Sequence, residues 1–491
     1  MKKQMNRIPE LQKKVLDSAK SPALGRYVWA CGIGPQVGYS FSVIHALAYS
    51  FIGMQTLYLA THFNPVYWNT AYLIVNSGSI DEDAAESTDY TKLAKAIGEI
   101  RNAGIHVSLA NVNKSEFGFI PDAENNQILF GLKGLINVNN DLIKEIIEHR
   151  PYVSMQDFLN KVNVNKQAMI ALIKGGAFDE FYDTRYRAMV EYIWMTCDKK
   201  KRLTLQNMPG LIRNGLLPED TEEQITARRI YEFNRYLKAE CKNGENYRLT
   251  TRAIDFLNEL GGFDESAAAG QLNAKAWDKF YQGWMDIFRN WIKSDTEGIL
   301  DKLNTKIFMA DWEKYAKGTL SSWEMEALCF YYHDHELKNV NKTKYGIVNY
   351  SDLPEEPEVE KFFKRGNSQI PIYKLNVICG TAIAKDKTKH TVYLLTEDDV
   401  VAVKFSGEHF ALFDKQVSRR NTDGTRTVVE KSWFNRGNKL LIQGIRQGDQ
   451  FRTKKYASSK LHQLYHIDEI KDNGDLVLRS ERYDGEQEEE D

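Results

Sequence analysis

From Tyr27 to Ile80 the sequence holds no Asp, Glu, Lys or Arg, although charged residues make up 27% of the chain. A stretch so bare of charge calls for cover, by protein or by lipid. Cysteine is scarce too: Cys31, Cys197, Cys241, Cys329 and Cys379 are odd in number and include no Cys-x-x-Cys pair. That excludes a disulfide framework and a cysteine-based zinc site, and a reducing cytoplasm is the expected location. Eleven prolines and 32 glycines in 491 residues leave little material for long flexible linkers. The segment Met1–Lys20 is charged and mixed, unlike a signal peptide.

The length suggests about three domains. Within the uncharged block, Phe41–Leu59 is long enough to span a bilayer, but it carries Ser42, His45, Ser50, Gln55 and Thr56, which are expensive in lipid. A buried helical hairpin of a soluble protein is the preferred expectation, with no membrane partner. As a helix, it brings His45, Tyr49, Ile52 and Tyr58–Leu59 near one face. A second helix is predicted over Tyr90–Asn102, then a short strand at Ile105–Leu109. The intervening loop contains Asp81-Glu82-Asp83. Paired carboxylates on a strand can hold two Mg²⁺ ions, but in this polar loop they read as a solvated acidic turn.

Ile128–Arg150 has the outline of a helix-hairpin-helix: a short helix at Gly131–Leu135, a turn at Asn137-Val138-Asn139, then a helix with Leu142, Ile143, Ile146 and Ile147 apolar. Glycine usually supplies the positive φ of such a turn, and asparagine is the side chain that best tolerates it, so both Asn137 and Asn139 are expected there. Exposed amides at the turn and helix N-terminus suit a phosphate. The candidate duplex contacts are Lys133, Gly134, Asn137, Val138, Asn139 and Lys144. A plain helical hairpin touching only its own protein is the alternative. A second unit is expected over Phe158–Phe178, where Val162-Asn163-Val164-Asn165 precedes a helix ending at Gly175-Gly176.

Arg187–Thr319 is helical by pattern, and the stripe Trp277, Phe280, Trp284, Ile287, Phe288 and Trp291 reads as core. The run Lys199–Arg202 is a DNA-backbone contact or a solvated helix end. From Ile370 strands take over: Val377–Ala384, His390–Leu395, Val400–Phe405, Val428-Val429, Leu440–Ile445 and Leu476–Leu478 suit a small OB-type barrel, a frequent single-strand binder. The net charge of −2 hides an asymmetry. Six acids fill the tail Asp484–Asp491, while Lys404–Lys460 has 13 Lys/Arg against five Asp/Glu. Bases interleaved with Phe405, Trp433, Phe434, Phe451 and Tyr456 could track phosphates while rings stack on bases, or the rings could fill the barrel. The single-strand candidates are Arg419, Arg420, Arg426, Trp433, Arg446, Arg452, Lys454 and Lys455. The pairs His333/His335 and His462/His466 lack further ligands and read as structural.

Gly38-Tyr39-Ser40-Phe41, His45-Ala46, Ala48-Tyr49, Gln55-Thr56 and Tyr58-Leu59 resemble the fingers of the bacterial DNA polymerase III alpha subunit family. Phe130-Gly131-Leu132 with Ile143–Arg150, and Leu172–Asp179, are similar to its helix-hairpin-helix region. Trp323–Leu337 is similar to a short signature before its OB-fold. The resemblance implies a multidomain α+β chain: fingers end over 1–118, helix-hairpin-helix over 119–195, helical connection over 196–350, OB-fold over 351–482 and an acidic tail over 483–491. It implies His45 and Tyr49 as nucleotide-side candidates, and primer-template DNA, single-stranded template and deoxynucleoside triphosphates as partners. Ser42-Val43-Ile44 stands where the family has Asn-Lys-Ser, so triphosphate contact does not carry over to Val43. The family's palm aspartates precede the fingers and are not matched here. No catalytic residue, metal site or cofactor is therefore expected in this chain. The expectation is either a bacteriophage-type split polymerase, with the palm and its Mg²⁺ on a separately encoded chain, or a degenerate fragment, in the cytoplasm (that of the host if phage-encoded). A stand-alone DNA-binding protein without a polymerase role is the rival expectation.

Overall fold

The computed structural model describes residues 7–34, 43–84, 86–243, 246–365, 368–420, 426–457, 459 and 461–483. The chain opens with α1 (Ile8–Ser18), α2 (Pro22–Tyr27), a π-helical turn at Val28–Ile33, α3 (Val43–His62) and α4 (Pro65–Ser77). Asn64 caps α4 ahead of Pro65, and Gly78 ends it in the left-handed conformation. α5 (Tyr90–Asn102) is capped by Asp89 and buries Leu93, Ala94, Ala96, Ile97 and Ile100. The expected burial of the uncharged block holds for α4, which sinks Val66 and Leu73, but fails for α3. α3 buries no residue, and Val43 and Ile44 are each 81% exposed. It is a helix long and apolar enough to cross a membrane by length and composition. Sequence could supply its apolarity but not what covers it. The quoted motif Gly38–Phe41 lies outside the described residues.

A small sheet, β1 (His106–Val107), β2 (Ile120–Asp122) and β3 (Gln127–Leu129), leads into the hairpin region. Helices α6 (Asn140–Glu148), α7 (Met155–Lys161), α8 (Lys166–Lys174) and α9 (Arg185–Thr196) follow, each opened by a side-chain cap: Asn139, Ser154, Asn165 and Thr184. Their apolar faces share one core with α4, α5 and the later helix α16 (Leu320–Leu328).

The middle of the chain builds a core of its own from α10 (Met208–Arg213), α11 (Glu222–Tyr236), strands β4 (Lys242–Asn243), β5 (Asn246–Arg248) and β6 (Gln271–Asn273), α12 (Thr251–Leu260), α13 (Asp264–Ala269), α14 (Ala274–Ser294) and the first half of α15 (Thr296–Tyr315). In the aromatic stripe of α14, expected as core, Trp277 and Phe288 are fully buried and Phe280, Trp284, Ile287 and Trp291 are half-buried against them. After α17 (Lys342–Tyr345) come a free hairpin, β7 (Val359–Arg365) with β8 (Ser368–Tyr373), and then the barrel.

The barrel uses β9 (Asn376–Asp386), β10 (Thr391–Leu395), β11 (Val400–Lys404), β14 (Lys439–Gln447) and β15 (Gln450–Thr453). Between β11 and β14 lie α18 (Gly407–Asp414) and a second free hairpin, β12 (Val417–Arg420) with β13 (Arg426–Glu430). β16 (Leu464–Ile470) and β17 (Leu476–Arg479) extend the sheet beyond β14. Pairing runs β15-β11-β10-β9-β14 and returns to β15, so five strands close on themselves, with β11 and β15 parallel. That is an OB-type barrel. At the closure a Cβ on Gly444 would lie 2.1 Å from the Arg452 carbonyl oxygen, so the two strands approach this closely only with glycine there. Val428-Val429, expected in the barrel, belong instead to the β12–β13 hairpin.

Candidate nucleic-acid interface

The turn before α6 is built around one left-handed asparagine. Asn137 has φ +65°, whereas Asn139 has φ −91° and serves as helix cap, accepting from Leu142 N–H at 2.9 Å. The expectation that both asparagines replace glycine is thus corrected: Asn139 is retained by capping chemistry. Gly134 and Val138 are buried and pack the motif instead of facing a ligand. Asn137 and Asn139 are exposed. First-turn amides at a helix N-terminus supply the electrostatics that suit a phosphate.

The two lysines of this unit do converge, but on an acidic neighbour. Lys133 Nζ donates to Asn140 Oδ1 at 2.6 Å, and Asn140 Nδ2 donates to the Glu82 and Ala84 carbonyls, each at 3.2 Å. Lys144 Nζ lies 2.5 Å from Asp83, holding that carboxyl below its usual range through the hydrogen bond and the charge. The Asp81–Asp83 turn is therefore solvated, as expected, yet it also folds across the N-terminal end of the hairpin's second helix. His45 and Tyr49 stand on exposed α3 with ring centroids 4.6 Å apart, edge to face.

The single-strand candidates divide into three groups. Arg419, Arg420 and Arg426 are on the β12–β13 hairpin, where Arg419 and Arg426 are exposed. Arg452 and Lys455 are exposed at the end of β15, with Lys454 half-buried beside them. Arg446 is turned inward, donating to the Tyr350, Leu353 and Gly448 carbonyls, so it braces a loop. Trp433 is 1% exposed and cannot stack on a base. Its Nε1–H donates to Glu430 at 2.7 Å, and the Arg479 and Arg482 guanidiniums lie over its ring at 5.2 and 5.7 Å. Burial pushes the Glu430 carboxyl up, but its bonds from Trp433, Arg482 and Arg479 prevail and hold it below the usual range. Phe405, Phe434 and Phe451 are buried too, so the aromatics interleaved with bases are mostly barrel filling.

In OB-folds the second and third strands present the usual binding face. Here those strands, β10 and β11, turn that side inward: Tyr393, Leu395 and Val400 join the core of the helical body, and α5 packs on β9 and β11. His335 pins this joint. Its Nδ1 accepts from Leu337 N–H at 3.0 Å, and its Nε2 faces the Leu395 carbonyl at 3.2 Å. Among the described residues no group of three or more His, Cys, Asp or Glu could hold a metal ion.

A helix-hairpin-helix unit fused to a closed OB-type barrel defines the class of chain. The helix-hairpin-helix motif family matches residues 104–188. Across 96% of this chain the sequence is 38% identical to the probable DNA polymerase YorL of Bacillus subtilis strain 168, and equally to a DNA-directed DNA polymerase of Bacillus phage SPbeta. It is also 38% identical to DNA polymerase III subunit alpha of Thermus aquaticus over 152 residues, 30% of this chain and 11% of that relative. The chain is homologous to the C-terminal region of DNA polymerase III alpha subunits. It spans 37% of the length of the two Bacillus relatives.

Proposed function

We propose that this chain is the DNA-handling portion of a replicative polymerase: fingers end, duplex grip and single-strand guide, with the palm and its Mg²⁺ supplied by a separately encoded chain. In this reading the palm performs the in-line transfer. α3 closes over the nascent pair with His45 and Tyr49, the turn at Asn137 holds duplex phosphates, and the basic side of the barrel receives the template.

The observation that carries the division of labour is α3, an uncharged 20-residue helix with no buried residue beside a well-packed body. Exposed apolar surface of this extent marks a contact with another partner. The test is tagged purification from native cells, followed by primer extension. A co-purifying chain with paired aspartates that extends primers only when mixed with this one is the expected result. Extension by this chain alone, or partition of the chain into lipid, overturns the reading.

A further inference from the structure

The barrel's usual binding face is covered and its rings are buried, so a single strand needs another stacking surface. The free β7–β8 hairpin offers one. Its strands pair with each other and with no other named strand. The run Lys361-Phe362-Phe363-Lys364-Arg365 combines two rings with three bases and no acid. Phe362 is 61% exposed and Phe363 56%, and because adjacent strand residues point to opposite faces, each face carries one ring. Phe363 sits opposite Ile370 and Lys361 opposite Ile372, giving one face a cation beside an apolar patch.

The root of the hairpin is fixed to the basic end of β15. Tyr373 N–H donates to Tyr456 Oη at 2.8 Å, and Lys454 Nζ lies over the Tyr373 and Tyr456 rings at 4.8 and 5.4 Å. Hairpin and barrel edge thus form one basic surface with exposed rings, the combination that holds single strands without reading sequence. A protein contact would also cover rings, but exposed Lys361 and Lys364 on β7, against the single acid Glu360, favour a polyanion.

We propose that the β7–β8 hairpin is a base-stacking guide for single-stranded DNA, with Phe362 and Phe363 as its stacking groups. This rests on the single-strand role proposed above. The test is binding of the full chain to oligo-dT and to a single strand containing 2-aminopurine, for the wild type, the double variant F362A/F363A and the variant R452A/K455A. The double variant is expected to weaken binding about tenfold, to lose the 2-aminopurine quench and to keep its thermal melt and its salt slope. Unchanged binding and quench in F362A/F363A, with weakened binding in R452A/K455A, overturns the hairpin while leaving the barrel's role. Unchanged binding and quench in both variants overturns it as well. A wild type that binds no single strand overturns both.

Discussion

The Arg185 guanidinium lies 3.1 Å from the Glu324 carboxylate, with side chains 3% and 0% exposed. Glu324 also accepts from the backbone N–H groups of Tyr332 and His333, at 2.9 and 3.0 Å, and His333 Nδ1 lies 2.5 Å from it. The segment that resembles a family signature is therefore a clamp: one buried carboxylate ties the helix-hairpin-helix body to the chain entering the barrel. Removing one partner strands a buried charge, so Glu324→Ala should cost about 3–5 kcal/mol. Urea denaturation checks this. The paired change R185M/E324L should recover only part of the loss, because the Tyr332 and His333 N–H groups still lack their acceptor.

Relief of the acidic turn should strengthen duplex binding. Asp83→Asn frees Lys144 at an exposed ion pair, and affinity should rise roughly two- to fivefold at low salt. Lys144→Ala should weaken binding and lower the salt slope by about one. Fluorescence anisotropy across a salt series reads both, and an unchanged K144A slope would remove this lysine from the interface.

In the barrel, stability and binding should separate by residue. Trp433→Ala empties a core site and should cost about 3–5 kcal/mol. Arg452→Ala should leave the melting temperature in place and flatten the salt dependence of oligo-dT binding, by about 0.7 for one lost single-strand phosphate.

Acid should loosen the joint between barrel and helical body. Burial, aided by Lys439 and Lys342 and opposed by the Leu395 carbonyl and Glu336, pulls the His335 pKa down to about 4. The unfolded chain then binds the proton first. The stability is fully present above about pH 6.5 and is lost as pH falls toward 4, by roughly 3 kcal/mol in all. Urea midpoints between pH 7 and 4 should show the loss, and His335→Gln should reduce the slope.

The sequence revealed elements wherever a local signal was sufficient. α5 falls on the predicted Tyr90–Asn102 because Asp89 caps it and Gly104 follows it, with a positive φ of 81°. The barrel strands were visible as short apolar runs. What stayed hidden depended on neighbours distant in sequence. Phe451 faces the barrel interior while Arg452 faces out, so an alternating aromatic and basic text suits a core as well as a stacking surface. The burial of Trp433 depends on Arg479 and Arg482, nearly fifty residues on. The β7–β8 hairpin was missed because both of its faces are exposed, and no apolar–polar alternation marks such strands.

α5 touches α4, β1 and the barrel strands β9 and β11. A helix so held does not act as a spacer. It acts as a lever, because packed interiors yield by shifting whole elements and hardly by compression. A tilt of α4 is therefore passed through α5 toward the barrel strands it touches. Under the proposed function, the same path would link the fingers end of the chain to its barrel.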